Sequence, residues 1–246
     1  MTTREELITE TLVQLADTLV SDYDPTEMFY LLVDSCRSVL EVEQAGLMLK
    51  DPSGGLQVVA ATSEATHVVE LLQIQNDEGP CLDAVKSGER VITGPLSDQE
   101  ASERWPRLVE AALRAGFHAV AALPMRLRQD TLGGLNLFFS EHRPPEDRDI
   151  SVAQAFADIA SIAILHNRAT EDSRVVIDQL QYALDSRIVI EQAKGRVAEH
   201  ANLDVDAAFT MIRQHARSNN LRLSNVASDL ISGTLDPSEL APSEPP

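Results

Sequence analysis

The chemistry this sequence can support rests on a short list of side chains. Arg213 and Arg217 stand four residues apart in a run of helical spacing, so they share one helix face. Guanidinium groups are flat, permanently charged forks. Such a pair can bridge phosphates, stack on rings, or pair internally with Asp206 or Glu199. Lys194, by residue type alone, reads as a solvated lysine. Gly195 beside it falls in mid-helix, where glycine costs about 1 kcal/mol relative to alanine. Tight packing of a neighbouring helix, or close approach of a bound partner, would account for that cost. Arg187 and Arg222 are further cations in the same segment. Cys81 follows Gly79-Pro80 at a helix start, where the dipole favours a thiolate; a buried structural cysteine is the plainer reading. His67, His118 and His142 lack metal-ligand spacing, and His200 and His215 fall on separate helices, with an axial haem ligand left open. No Ser/His/Asp set, phosphate-cradling glycine loop or carboxylate pair stands in a suitable context, and Gly133-Gly134 lies in a hairpin. No catalytic residue and no metal site are therefore expected, and no cofactor is named.

The elements that must position these groups divide in two. Apolar spacing over 5–20 predicts an amphipathic helix, and Pro25 with Asp24 as N-cap starts a second. The period then changes. Gln44 to Lys50 and Leu56 to Thr62 read as strands around Asp51-Pro-Ser-Gly-Gly55, a strong hairpin signal. Short helices follow over Ala65 to Ile74 and Pro80 to Ser87, then a strand at Arg90 to Thr93 and a helix from Trp105 to Ala115. His118 to Arg128 and Thr131 to Ser140 form a second strand pair. This order predicts an α+β domain, an antiparallel sheet with flanking helices. From Glu146 to Lys194 no proline or glycine interrupts a helical pattern, so one long helix or two nearly coaxial ones are expected. Their apolar seam exceeds one domain face and predicts pairing with a second copy. The end of that helix, a helix capped by Asp204 and ending near Arg217, and a short one capped by Ser224 and ending before Gly233 make a three-helix bundle. Expected boundaries are 1–170, 171–235, and a tail of 236–246 without structure.

Totals narrow the classes further. The 246 residues are 43% hydrophobic, with a net charge of −19. Such acidity opposes nucleic-acid binding, which cations drive by displacing counterions from phosphates. It is unevenly spread: 1–173 carry 13 basic against 29 acidic residues, whereas 174–235 carry seven of each. The C-terminal bundle is thus neutral and can still hold a basic face. Met1 to Glu10 shows no signal-peptide pattern, and no apolar run approaches the roughly 18 to 20 residues of a membrane span. Cys36 and Cys81 are too few for a disulfide framework. A cytoplasmic protein without a membrane partner is expected.

Two resemblances carry functional content. Leu180 to Gly195, ending in Ile190-Glu-Gln-Ala-Lys-Gly195, resembles the opening of the ANTAR domain, a three-helix RNA-binding module of transcription antitermination regulators. The match continues through Asp206-Ala-Ala-Phe209, Ile212-Arg213, Ala216-Arg217 and Leu223-Ser-Asn-Val-Ala227. Residues 25–170 resemble a GAF domain, a ligand-sensing α+β fold, by element order and by Asn76-Asp-Glu-Gly-Pro-Cys-Leu-Asp-Ala84. The clustered acids, phosphoacceptor Asp and later Lys of a receiver domain are missing. The resemblance implies a GAF-like sensor of an unidentified small molecule or protein. A long helix would couple it to an ANTAR-like bundle that binds a leader RNA with two adjacent stem-loops, in competition with a terminator hairpin. It also implies RNA contact by Lys194, Gly195, Arg213, Arg217, Arg187 and Arg222. A homodimer fits two loops. The competing readings are a DNA-binding regulator, a helical dimerisation module, and an enzymatic sensor.

Overall fold

The computed structural model describes residues 3–18, 24–40, 42–51, 53–127, 130–141, 146–169, 174–219 and 221–240; over 165–169 and 174–185 it describes backbone alone. Contacts divide the chain into two units, residues 1–180 and 181–246. Among the described residues no helix is long and apolar enough to cross a membrane.

The first unit opens with α1 (Arg4–Asp17), started by a capping box between Thr3 and Glu6, and α2 (Pro25–Val39), where Asp24 accepts from the Thr26 N–H at 2.9 Å. The hairpin β1 (Gln44–Lys50) and β2 (Leu56–Ala61) turns on the Asp51 carboxylate, which accepts from the Ser53 and Gly55 N–H groups. Next come α3 (Glu64–Asn76), α4 (Pro80–Ser87), β3 (Val91–Ile92), α5 (Gln99–Arg104), α6 (Pro106–Arg114), β4 (Ala119–Leu127), β5 (Asp130–Phe139) and α7 (Asp147–Ala169).

All five strands join one antiparallel sheet in the order β2-β1-β5-β4-β3. Helices α1, α2 and α7 pack on one another, α2 and α7 also on the sheet; α3, α4 and α6 form a separate set. The central strands are buried on both faces, which is why β1 and β4 read as nearly continuous apolar runs. On the α3 and α4 side, Met48, Val58, Cys81, Ala84, Val85 and Ala122 form one cluster, and Leu108, Val109, Phe117, Val120 and Phe138 belong to another. Glycine allows close approach at one point: a β-carbon on Gly133 would overlap the Met48 carbonyl oxygen of β1.

The helix expected from Trp105 is α6, which begins one residue later. Pro106 opens α6 and disfavours helical backbone at Trp105, which sits at φ −136° and ψ 62°. The preceding α5 escaped notice because it is six residues long and mostly polar.

The second unit contains the end of α8 (Arg174–Ala201), then α9 (Val205–Ser218), α10 (Leu223–Ser232) and a 3-10 turn, Pro237–Leu240. Asn202, at φ 52°, closes α8 while the Leu203 N–H reaches the Ala198 carbonyl at 3.0 Å. Asp204 caps α9, accepting from the Ala207 N–H at 2.7 Å. The cap expected from Ser224 is corrected: α10 starts two residues earlier than such a cap requires, Arg222 holds the N-cap position, and Ser224 is buried inside the first turn. The tail expected to lack structure from 236 instead buries Pro237 and Leu240, so apolar contact extends the unit to residue 240. Whether the 146–194 pattern is continuous turns on 170–173, outside the described residues; α7 and α8 flank that gap. Most of the apolar seam over 176–184 likewise has no described side chains.

Candidate nucleic-acid interface

The second unit is held by a small apolar core that fixes the orientation of its cations. Ile190, Ala193 and Val197 of α8 are buried, as are Ala208, Ile212 and Ala216 of α9 and Leu223, Val226, Ala227 and Leu230 of α10. Small residues at three- and four-residue spacing let the helices approach, leaving charged residues on the opposite faces. Phe209, next to buried Ala208, is only half-buried.

The six candidate residues fall in different settings. Lys194 is not the surface cation its type suggests: it is 6% exposed, and its Nζ donates to both Glu191 carboxylate oxygens at 2.8 and 3.1 Å. The same ammonium lies 5.3 Å from the Phe209 ring centroid. Arg213, half-buried, has its guanidinium carbon 5.5 Å from that centroid. Lys194, Phe209 and Arg213 are thus brought together. Arg217, one turn beyond Arg213, is exposed; Arg222 is exposed at the start of α10, and Arg187 is half-buried on α8. Gly195 is exposed, and a β-carbon built there would meet no described heavy atom within 4 Å. Packing among the described residues therefore gives no reason for a glycine at this point of the helix.

Two participants were not singled out by sequence reasoning. Arg196, exposed beside Gly195, donates to the Ile231 carbonyl at 3.1 Å and ties α8 to α10. Phe209 is the ring that organises two cations. The signal for it was its place four residues before Arg213, which brings side chains together on a helix.

In the first unit the chemistry-bearing groups turn inward. Burial drives the Cys81 thiol well above the usual range, helped by the nearby Glu70 charge and only partly opposed by a hydrogen bond from Asn136. Burial raises Cys36 likewise. Glu70 accepts from Asn136 Nδ2 and Gln73 Nε2, each at 2.7 Å, and all three residues are fully buried. Gln73 also accepts from the Cys81 N–H at 3.1 Å. The segment Asn76 to Ala84 is a clasp. Glu78 Oε1 accepts from the Arg107 and Leu108 N–H groups at 2.6 and 2.9 Å, capping α6 from 29 and 30 residues away. Asp83 accepts from Trp105 Nε1 at 3.0 Å and pairs with Arg104 at 2.7 Å. Against Arg104 and Trp105 lies a recess of about 120 Å³, whose rim includes Thr93, Pro95, Asp98 and Ala101. Among the described residues no cluster of His, Cys, Asp and Glu could hold a metal ion.

Comparison with known proteins places both units. The model of the GAF domain matches residues 22–165, and that of the ANTAR domain matches residues 178–231. Among solved structures, the GAF domain of an Acinetobacter phosphoenolpyruvate-protein phosphotransferase aligns with a TM-score of 0.51 at 15% identity, over 67% of this chain and 96% of that one. The GAF domain of the corresponding Coxiella burnetii protein gives a TM-score of 0.50 at 15% identity, over 66% and 95%. At such identity the likeness concerns the fold alone. No curated protein sequence matches this chain.

Proposed function

Because the chain belongs to the GAF domain family and carries an ANTAR domain behind it, we propose that it is a transcription antitermination regulator acting on a leader RNA with two adjacent stem-loops. A small ligand or partner protein at the GAF domain sets whether the RNA is gripped. Both families are regulatory and non-catalytic, and we assign the chain no reaction. An RNA partner places its work in the cytoplasm.

One observation carries the RNA reading at this site: Gly195. A helix-interior glycine costs about 1 kcal/mol relative to alanine, and no described neighbour claims the space above it. That space suits a partner whose backbone must come close, and exposed Arg196 adjoins it. Arg217 and Arg222 supply phosphate-directed charge, with Arg213 beside them and Arg187 further along α8. Lys194 serves from inside, since its charge is met by Glu191. Compact helical surfaces of this kind read loop bases splayed out of the stack together with nearby phosphates. Homodimerisation belongs to the same reading. Helices α1 and α7 pack together and leave Leu7, Val13 and Ile162 exposed, and a twofold pair of modules matches an RNA with two loops. The recess at Trp105 is the described opening where an effector could act, to the extent that it binds the two geometries differently.

The test is gel-shift titration of the full chain with structured leader RNAs and, in parallel, with duplex DNA of the same sequences. Preference for the two-loop RNA, falling steeply with salt, supports the reading. Preference for the duplex replaces it with a DNA-binding regulator.

A further inference from the structure

Two cations meet at one ring in the second unit. Lys194 Nζ and the Arg213 guanidinium lie 5.3 and 5.5 Å from the Phe209 centroid. Like charges sharing a ring repel each other, and here the Glu191 carboxylate, 2.8 Å from Lys194, offsets one of them. Lys194 is almost wholly buried, whereas Phe209 and Arg213 keep part of their surface in solvent. The arrangement therefore has a buried inner cation and an outer one that is partly in solvent.

We infer that Arg213, held near the Phe209 ring, is a stacking layer for one unpaired base of the bound RNA, while Lys194 positions the Phe209 ring and touches no RNA. This rests on the RNA-binding reading above and assigns roles within it. A guanidinium is planar on both sides. Its part turned to solvent offers a flat, electron-poor surface to a base. Anchoring by Phe209 on the same helix restrains the arginine before RNA arrives, so less side-chain freedom is lost on binding. Arg217 follows one turn later on the same face and is exposed. It is placed for the phosphate next to the stacked base. One arginine thus reads a base and the other holds the backbone.

The two roles separate by shape and charge. From a pool of RNAs with two adjacent stem-loops of randomised loop sequence, the sequences retained by the full chain serve as the probe. A fluorescent adenine analogue is then placed at each loop position in turn. Arg213→Lys keeps the charge and removes the plane. It should lower affinity about tenfold, equivalent to roughly 1.4 kcal/mol, leave the salt dependence unchanged, and abolish quenching at one loop position. Arg213→Gln keeps a planar amide and should retain most of that quenching. Arg217→Ala should instead reduce the salt slope by about one phosphate contact. Lys194→Met should weaken quenching without altering the salt slope. The inference is overturned if Arg213→Lys binds within about twofold with quenching intact, or if Arg213→Gln loses both quenching and one phosphate's worth of salt slope. Retention of no sequence from the pool would remove the RNA reading itself.

Discussion

Replacing Gly195 with alanine should push stability and binding in opposite directions. The glycine sits inside α8, with a further turn of helix after it. Alanine at such a site gains about 0.8 to 1 kcal/mol, because the unfolded chain has less backbone freedom to lose. A β-carbon there meets no described atom within 4 Å, so neither a clash nor a new apolar contact alters that figure. For a unit of this size the gain corresponds to a rise in Tm of about 4 to 8 °C. It can be read from hydrogen exchange of the α8 and α9 amides in the full chain, or from the far-UV melt. If Gly195 lies in the proposed RNA interface, the same methyl group obstructs it, and affinity for a bound two-loop RNA should fall about tenfold, roughly 1.4 kcal/mol. Each half of the result can refute the reasoning. Lower stability would mean that something already occupies the space. Unchanged affinity would mean that the glycine serves no RNA contact.

Further outcomes test the first unit. Glu78→Ala removes the acceptor of two N–H groups at the start of α6 and should cost about 1 to 2 kcal/mol. Urea unfolding followed by fluorescence of Trp105, the single tryptophan, will show the shift. Gly133→Ala drives a side chain into the Met48 carbonyl and Leu49 of β1. It should destabilise the sheet by about 1 to 3 kcal/mol, readable as a lower urea midpoint. Cys81 should resist thiol reagents up to about pH 9 while the chain is folded, since burial raises its pKa and blocks access, and should react at once in denaturant; mass spectrometry of labelled peptides decides.

The fold was largely legible because its signals are local and redundant. Asp24 before Pro25, the Asp51 turn, Gly88 after α4 and Asp204 before α9 each mark a boundary through one side chain or one backbone conformation. Where the reading slipped, competing local signals had near-equal weight. Ser224 is a good N-cap residue, yet the helix gains a buried leucine by starting two positions earlier. Trp105 opens the apolar pattern, but Pro106 disfavours helical backbone there and moves the helix start by one residue. The candidate interface was legible in residue types but not in exposure. Sequence placed Lys194 and Gly195 together, and only packing shows that the lysine turns to Glu191 and Phe209 while the glycine faces empty space. The role of Asn76 to Ala84 was hidden for another reason. Its carboxylates act on Arg104, Trp105, Arg107 and Leu108, more than twenty residues away.

That distant grip ties α5 and α6 to the segment around α4. The first turn of α6 has no hydrogen-bond acceptor of its own making; it borrows one from the loop ahead of α4, and the indole beside it is fastened to α4 as well. Lifting α5 and α6 away from the sheet breaks these links together, so the segment yields as one cooperative piece rather than fraying residue by residue. A molecule lodging at the recess beside the indole therefore reaches, through two carboxylates, the helix whose cysteine packs against the middle of the sheet.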